Sequence, residues 1–173
     1  MRQSRFSTSF ILLLIVQICL CNFLRLSQFV MLSILPAMIL MIPIKRGTFV
    51  SLIIAFVSAL AVDLLSDGLL GLNILALVPV AFARKGIITL VFGEEIFARK
   101  EDVSIPRQGF WKMTVAILMV QSLFLLIYLF ADGAGTRPAW FNVSRFAASL
   151  VSGYMLSLFV IDLLAPERQA GRR

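Results

Sequence analysis

Two acidic residues lie inside long apolar stretches of this sequence, Asp63 in AVDLLSDG and Asp162 in FVIDLLAP. A carboxylate in lipid costs several kcal/mol unless it faces protein, water or a cation. Acid and base catalysis would need the two carboxylates in one site. Asp63 is predicted near the outer side of the membrane and Asp162 near the cytoplasmic side, so they are far apart. They therefore do not predict a catalytic pair, and Asp63 is the stronger candidate for a functional position.

The sequence allows two alternative environments for the Asp63 side chain. It lies one helical turn from the predicted outer end of its span, so its carboxylate can reach interfacial water. It can also form an ion pair with Arg145, near the outer start of the last span, or with Arg25, in the same leaflet.

Other residues that commonly perform catalysis or bind metals are scarce. The sequence has no histidine, the commonest general base and metal ligand. Cys19 and Cys21 are two positions apart in an apolar stretch, so they lie on different helix faces and predict neither a disulfide nor a metal pair. No glycine-rich phosphate loop or nucleophile elbow is present in the sequence. The sequence therefore predicts no catalytic residue, metal site or cofactor.

The composition indicates that these residues lie in a membrane. Of the 173 residues, 60% are hydrophobic and 14% are charged, and the mean hydropathy is +0.98. The net charge of +7 would suggest nucleic-acid binding in a soluble protein, but the basic residues lie between apolar stretches, where membrane topology explains them better. We predict an all-α integral membrane protein that forms a single polytopic domain over residues 1–173, with no nucleic-acid partner.

Six apolar stretches approach the length of about 20 residues that a membrane-spanning helix needs. They cover residues 6–24, 28–44, 48–65, 69–83, 110–131 and 141–165. The fourth ends at Arg84 and Lys85 unless these side chains snorkel and the helix continues to residue 92. Pro36, Pro43 and Pro79 predict kinks or helix ends in spans two and four, with a ligand site at a broken helix as the alternative.

The basic residues predict the orientation of this six-helix bundle. Thirteen of the sixteen Lys and Arg fall at the two termini or in the connections after spans two and four, and three fall on the other side. Because basic residues gather on the cytoplasmic side, both termini are predicted to be cytoplasmic. The connection over residues 93–109 is predicted to be a solvated cytoplasmic loop with room for a short amphipathic helix.

Small residues recur every four positions on two of the predicted spans. Small side chains at this spacing let membrane helices approach closely, although they are also common in membrane helices generally. We predict that spans three and six pack against each other or against a helix of a partner protein. The positions are Ser51, Ala55 and Ala59 on span three and Ser149, Gly153 and Ser157 on span six.

The residues after span three predict a tight helical hairpin. Ser66 and Asp67 favour local bonds between side chain and backbone, and Gly68 accepts the positive φ that ends a helix. Gly71 allows close approach at the start of the return span, where the Asn73 amide must find a partner.

The segment IPIKRGTFVSLIIAFVSALAVDLLSDGLLGLNILAL, residues 42–77, resembles the best preserved region of the rod shape-determining MreD family. A proline and a basic pair close span two, a small-residue helix ends in Asp-Leu-Leu-Ser, and Gly-x-x-Gly precedes the return span. The chain length, six predicted spans and internal termini also fit the family. The resemblance gives Asp63, Gly68, Gly71 and Asn73 a partner-binding or structural role, and Arg145 joins them as a candidate partner of the carboxylate.

This resemblance implies a non-enzymatic inner-membrane component of the bacterial elongation machinery. Members of the family associate with the membrane-anchored scaffold protein MreC, and through it with the glycosyltransferase and transpeptidase of lateral peptidoglycan synthesis. The fold that it implies is similar to that of the substrate-binding subunits of energy-coupling-factor vitamin transporters, which supplies an alternative function. The short outer connections, and a first span without an Ala-xxx-Ala face, favour the scaffold-binding function.

Overall fold

A computed structural model of the chain describes residues 2–23, 30–66, 70–98, 102–103, 108–133 and 139–164. These residues are almost entirely helical and include no strand, which confirms the predicted all-α class. A short 3-10 turn, Ile44–Arg46, precedes α3. The α-helices are α1 (Arg2–Phe23), α2 (Leu35–Leu40), α3 (Gly47–Leu65), α4 (Leu72–Phe92), α5 (Glu95–Ala98), α6 (Phe110–Gly133) and α7 (Ala139–Leu164).

Four helical stretches are long and apolar enough to cross a membrane: Ile44–Leu65, Leu72–Phe92, Phe110–Gly133 and Trp140–Leu164, with a shorter apolar helix at Phe6–Asn22. Their outer faces carry large apolar side chains, such as Phe130, which is 87% exposed, and Trp111, which is 79% exposed. A surface of this kind is unstable in water but is the ordinary surface of a protein in lipid. The chain is therefore a multi-pass membrane protein.

The predicted second span, residues 28–44, differs from the structure. Residues 31–34 are irregular, α2 has only six residues, and the 3-10 turn follows, so no membrane-length helix forms in the described part of this stretch. Two prolines explain the difference. Pro36 lies in the first turn of α2, where its missing N–H is not needed, and Pro43 follows the end of α2, where it cannot continue a helix.

Contacts at both ends of the bundle give the direction of this stretch. Asn22 Nδ2, near the end of α1, donates a hydrogen bond to the carbonyl of Leu65 at the end of α3 (3.0 Å). Arg46, before the start of α3, lies over the ring of Phe6 near the start of α1, 5.2 Å from its centroid. Helices α1 and α3 are therefore parallel. Residues 30–44, which we call the core segment, return the chain from one end of the bundle to the other.

The core segment fills the middle of the bundle. Helix α2 contacts all five long helices, α1, α3, α4, α6 and α7, and each of its six side chains is buried. Around it, α4 packs against α3 and α6, and α7 packs against α6. All six side chains of α2 are apolar, so the helix needs lipid or protein on every side. The five long helices around it provide that environment.

Candidate functional site

The carboxylate of Asp63 caps the start of α4. Its Oδ2 accepts hydrogen bonds from the backbone N–H groups of Gly71 (3.0 Å) and Ile74 (3.3 Å). Its Oδ1 accepts one from the Asn73 backbone N–H (3.3 Å) and one from the Asn73 side-chain amide (2.8 Å). The first N–H groups of a helix have no partner within the helix and form the positive end of its dipole, so a carboxylate is well suited to bind them.

The local sequence explains why the cap comes from the preceding helix. The Ser66 side chain and backbone N–H both donate to the carbonyl of Val62, at 2.6 and 2.9 Å, and this closes the last turn of α3. Gly71 precedes α4 with a φ of +94°, which L side chains rarely adopt. A glycine has no side chain with which to cap its own helix, so Asp63 takes that role. Gly68, the predicted site of the positive φ, lies outside the described residues.

The structure gives Asp63 neither the solvated environment nor the Arg145 partner considered from the sequence. Asp63 is only 2% exposed. Nη1 of Arg145 instead forms an ion pair with Oδ2 of Asp132, which joins the end of α6 to the start of α7. The other candidate partner, Arg25, lies outside the described residues. Asp63 thus connects α3 to α4, and Arg145 connects α7 to α6.

A second set of polar side chains binds the backbone of the core segment. Irregular backbone inside a membrane bundle needs partners for its N–H and C=O groups, because lipid offers none. Gln17 of α1 provides two of these bonds. Its Oε1 accepts from the N–H of Ile34 (2.8 Å), and its Nε2 donates to the carbonyl of Leu32 (3.3 Å). Gln17 is 1% exposed, so it replaces the partners that a continuous helix would have supplied.

Helices α6 and α7 bind the same irregular stretch from the other side. Gln121 of α6 donates through Nε2 to the carbonyl of Ser33 (3.3 Å), and Ser149 of α7 accepts from the N–H of Met31 (2.9 Å). Both side chains are fully buried. Three long helices therefore hold residues 31–34 by side-chain hydrogen bonds.

Arg84 of α4 binds the far end of α2. Its Nε donates to the carbonyl of Leu40 (3.3 Å), and its Nη2 donates to the carbonyl of Ile42. The last carbonyls of a helix have no partner within the helix, and a cation is favourable there. Arg84 is 5% exposed, so it turns into the bundle instead of snorkelling to the surface. Helix α4 consequently continues through Arg84 to Phe92.

Gly153 of α7 makes room for Gln121. A Cβ added at Gly153 would lie 2.1 Å from Nε2 of Gln121 and 2.9 Å from its Cδ, much closer than atoms can approach. The predicted reason for a small residue here was close approach of two helix backbones. The structure shows that the space is occupied by the amide that binds the core segment.

The two small-residue stripes face the interior, but they do not form the predicted contact between spans three and six. The main neighbours of α3 are α4, α1 and α2, whereas those of α7 are α6, α1 and α2. Direct packing of the two spans, the first predicted alternative, is not found because the core segment, expected as an ordinary helix, contacts both stripe-bearing helices. Packing against a helix of a partner protein stays a prediction. All members of the stripes are buried: Ser51, Ala55 and Ala59 on α3, and Ser149, Gly153 and Ser157 on α7.

Three residues that hold the core segment, Gln17, Gln121 and Arg84, were not among the sequence-predicted site residues. The sequence does mark these residues, because a polar side chain within an apolar span costs free energy unless it has a specific partner. Their partner could not be predicted, because the core segment was expected to satisfy its own backbone as a helix. In the described part of the chain, no group of three His, Cys, Asp or Glu side chains is arranged to hold a metal ion.

Comparisons of the chain with protein-family models, with curated proteins and with solved structures found no match.

Proposed function

We propose that this chain is a non-enzymatic component of the bacterial cell-elongation complex in the inner membrane. In this role it binds a membrane-anchored scaffold protein of the MreC type and supports lateral peptidoglycan synthesis and cell shape. The elongation glycosyltransferase and transpeptidase are reached indirectly, through the scaffold. The observation that carries the proposal is the MreD-like motif over residues 42–77. Three of its marked positions, Asp63, Gly71 and Asn73, lie in one hydrogen-bonded hairpin.

The use of the interior polar groups supports a binding role over a catalytic one. Gln17, Arg84, Gln121 and Ser149 each bind backbone of the core segment. Asp63 caps α4. A catalyst or a transporter needs polar side chains directed at a substrate, whereas the hydrogen bonds that these side chains make are to the chain itself. The remaining large surface is apolar and suits the transmembrane helix of a partner, which associates by close packing.

Two observations support the proposed six crossings with both termini in the cytoplasm. The core segment returns the chain between the parallel helices α1 and α3, so it supplies a crossing without a long helix. Arg46, Arg84, Lys85 and Lys112 all lie toward the end of the bundle at which α3 and α6 begin. At the opposite end, the described part of the chain has Arg145, which is paired with Asp132. Basic residues concentrate on the cytoplasmic side, so the end at which α3 begins is assigned to the cytoplasm.

The alternative function, a substrate-binding subunit of a vitamin-type transporter, is favoured by one observation. Irregular backbone in the middle of a bundle is a frequent feature of transporter binding sites. In this chain, however, the irregular stretch leads directly into α2, whose buried side chains Leu35, Met38 and Ile39 fill the middle of the bundle, where a substrate would need space. The scaffold-binding function therefore has the stronger support.

Co-purification distinguishes the two functions. The tagged chain is extracted in mild detergent from cells that also produce an MreC-type scaffold and an energy-coupling ATPase module, and bound proteins are identified by mass spectrometry. An unrelated multi-pass inner-membrane protein with the same tag is the control. We expect enrichment of the scaffold over the control. Enrichment of the ATPase module without the scaffold would support the transporter function instead.

A further inference from the structure

A cavity of about 140 Å³ lies at the basic end of the bundle, between the start of α3, the middle of α4 and α5. It belongs neither to the Asp63 hairpin nor to the irregular stretch of the core segment. Its polar side chains are Thr48, Arg84 and Lys85, and its apolar lining includes Ile44, Ala81 and Phe97. A volume of this size accommodates a phosphate-sized group.

The polar lining of the cavity favours an anion. Arg84 uses two of its five N–H donors on the core segment, which leaves three, and Lys85 has three donors. The Lys85 ammonium lies 5.9 Å from the centroid of the Phe97 ring, which restricts its position without neutralising its charge. The Thr48 hydroxyl can donate a further bond. Among the residues that the structure describes, no carboxylate lines the cavity.

Asp102 is the acidic group that interacts with Arg84, and it has a further role. Oδ1 of Asp102 accepts a hydrogen bond from the backbone N–H of Ile44 (3.3 Å) and attracts Arg84 electrostatically. It therefore offsets part of the charge of Arg84, and the charge of Lys85 has no carboxylate partner among the residues that the structure describes. The charged side chains that line the cavity in the described part of the chain, Arg84 and Lys85, are both basic.

The depth of the cavity matches the phosphate layer of a membrane. Helix α3 has 19 residues, a length of about 28 Å at 1.5 Å per residue, close to the hydrocarbon thickness of about 30 Å. The capped hairpin lies at one end of α3, so the cavity at the other end lies where the hydrocarbon region meets the headgroups. Basic pockets between membrane helices at this level bind the phosphates of anionic lipids.

We propose that this cavity binds a phosphate group and that an anionic phospholipid of the cytoplasmic leaflet supplies it. Arg84 and Lys85 bind the phosphate oxygens, Thr48 adds a hydrogen bond, and the ring of Phe97 borders the glycerol end. Arg84 then joins two functions, because the same guanidinium that holds α2 also faces the lipid. Inorganic phosphate has the same chemistry and is the second source that the test must separate.

Native mass spectrometry of the detergent-solubilised chain tests the proposal. Phosphatidylglycerol, phosphatidylethanolamine and inorganic phosphate are titrated against the unmodified chain, Lys85→Gln, Lys85→Arg and the control Lys112→Gln. Lys112 is exposed in the first turn of α6 and does not line the cavity, so its variant removes the same charge elsewhere. Retained helicity and a single size-exclusion peak confirm that each variant is folded.

We expect Lys85→Gln to raise the Kd for phosphatidylglycerol about fivefold, the effect of one basic residue near an anionic membrane surface. Lys85→Arg should restore binding, and Lys112→Gln should leave it unchanged. Binding of inorganic phosphate that depends on Lys85, with no such dependence for the lipid, would support the anion site and identify a soluble occupant. Equal losses in Lys85→Gln and Lys112→Gln, or no loss in either, would overturn the proposal.

Discussion

The Asp63 cap of α4 gives the most specific prediction, because a single carboxylate accepts all the hydrogen bonds that form the cap. Replacement of Asp63 by Ala removes the acceptor of three backbone N–H groups, those of Gly71, Asn73 and Ile74, and of the Asn73 amide. The helix itself cannot supply new partners, since these donors belong to its first turn and the residue before it. We therefore expect Asp63→Ala to lower the free energy of unfolding.

The magnitude follows from the groups left without partners. A buried donor without an acceptor costs about 1–3 kcal/mol, so three backbone donors give about 3–9 kcal/mol. The hairpin lies at the end of α3, where water can reach part of the broken site, so the lower half of this range applies, about 3–6 kcal/mol. Asp63→Asn keeps one acceptor oxygen, and Asn caps helices nearly as well as Asp. It loses the charge that favours the helix dipole, and its expected cost is about 1–2 kcal/mol.

Unfolding of the purified variants in mild detergent, by titration with sodium dodecyl sulfate and far-ultraviolet circular dichroism, measures these losses. The predicted order of stability is unmodified chain, Asp63→Asn, then Asp63→Ala. An Asp63→Ala variant as stable as the unmodified chain would refute the capping role. Equal losses in both variants would show that the charge of Asp63, and not its acceptor geometry, stabilises the hairpin.

Three further predictions concern Gly153, Arg84 and the orientation of the chain. Gly153→Ala should lower the free energy of unfolding by about 1–3 kcal/mol, because the added Cβ overpacks against the side-chain amide of Gln121. The control Gly86→Ala, where nothing lies within 4 Å of the added Cβ, should not lower it. Equal losses in the two variants would contradict this explanation. Arg84→Met leaves two carbonyls of the core segment without a charged donor and should cost about 3 kcal/mol in the same assay, and an unchanged midpoint would contradict that role. A cysteine placed at position 67 should react with a membrane-impermeant reagent from outside the cell, and one at position 100 only after permeabilisation; the reverse pattern would overturn the orientation.

The membrane class could be predicted from the sequence because it depends on composition and on the length of apolar stretches. The four membrane-length helices are each rich in residues that favour lipid contact, and no distant contact is needed to specify them. The hairpin after Asp63 was also partly predictable, because Ser66 and Gly71 act on their own neighbourhood. Its detail was not predicted. The carboxylate reaches forward to the next helix, and such a contact depends on how two helices pack.

The irregular structure of the core segment could not be predicted from the sequence. Its apolar composition fits a buried helix as well as an irregular crossing, and Pro36 and Pro43 indicate where a helix ends but not what replaces it. The irregular crossing is stable because Gln17, Gln121 and Arg84, far away in the sequence, bind its backbone. These hydrogen bonds join residues that are far apart in the sequence. The periodic pattern within a single helix therefore cannot predict them.

We propose that this bundle uses its interior to hold itself together and its membrane surface to bind a scaffold protein. The most direct test is the affinity of the purified chain, in lipid nanodiscs, for an MreC-type scaffold that retains its membrane anchor, compared with the same scaffold lacking that anchor. We predict saturable binding that is lost when the anchor helix is removed. Absence of saturable binding to the anchored scaffold would show that the membrane surface does not have this role.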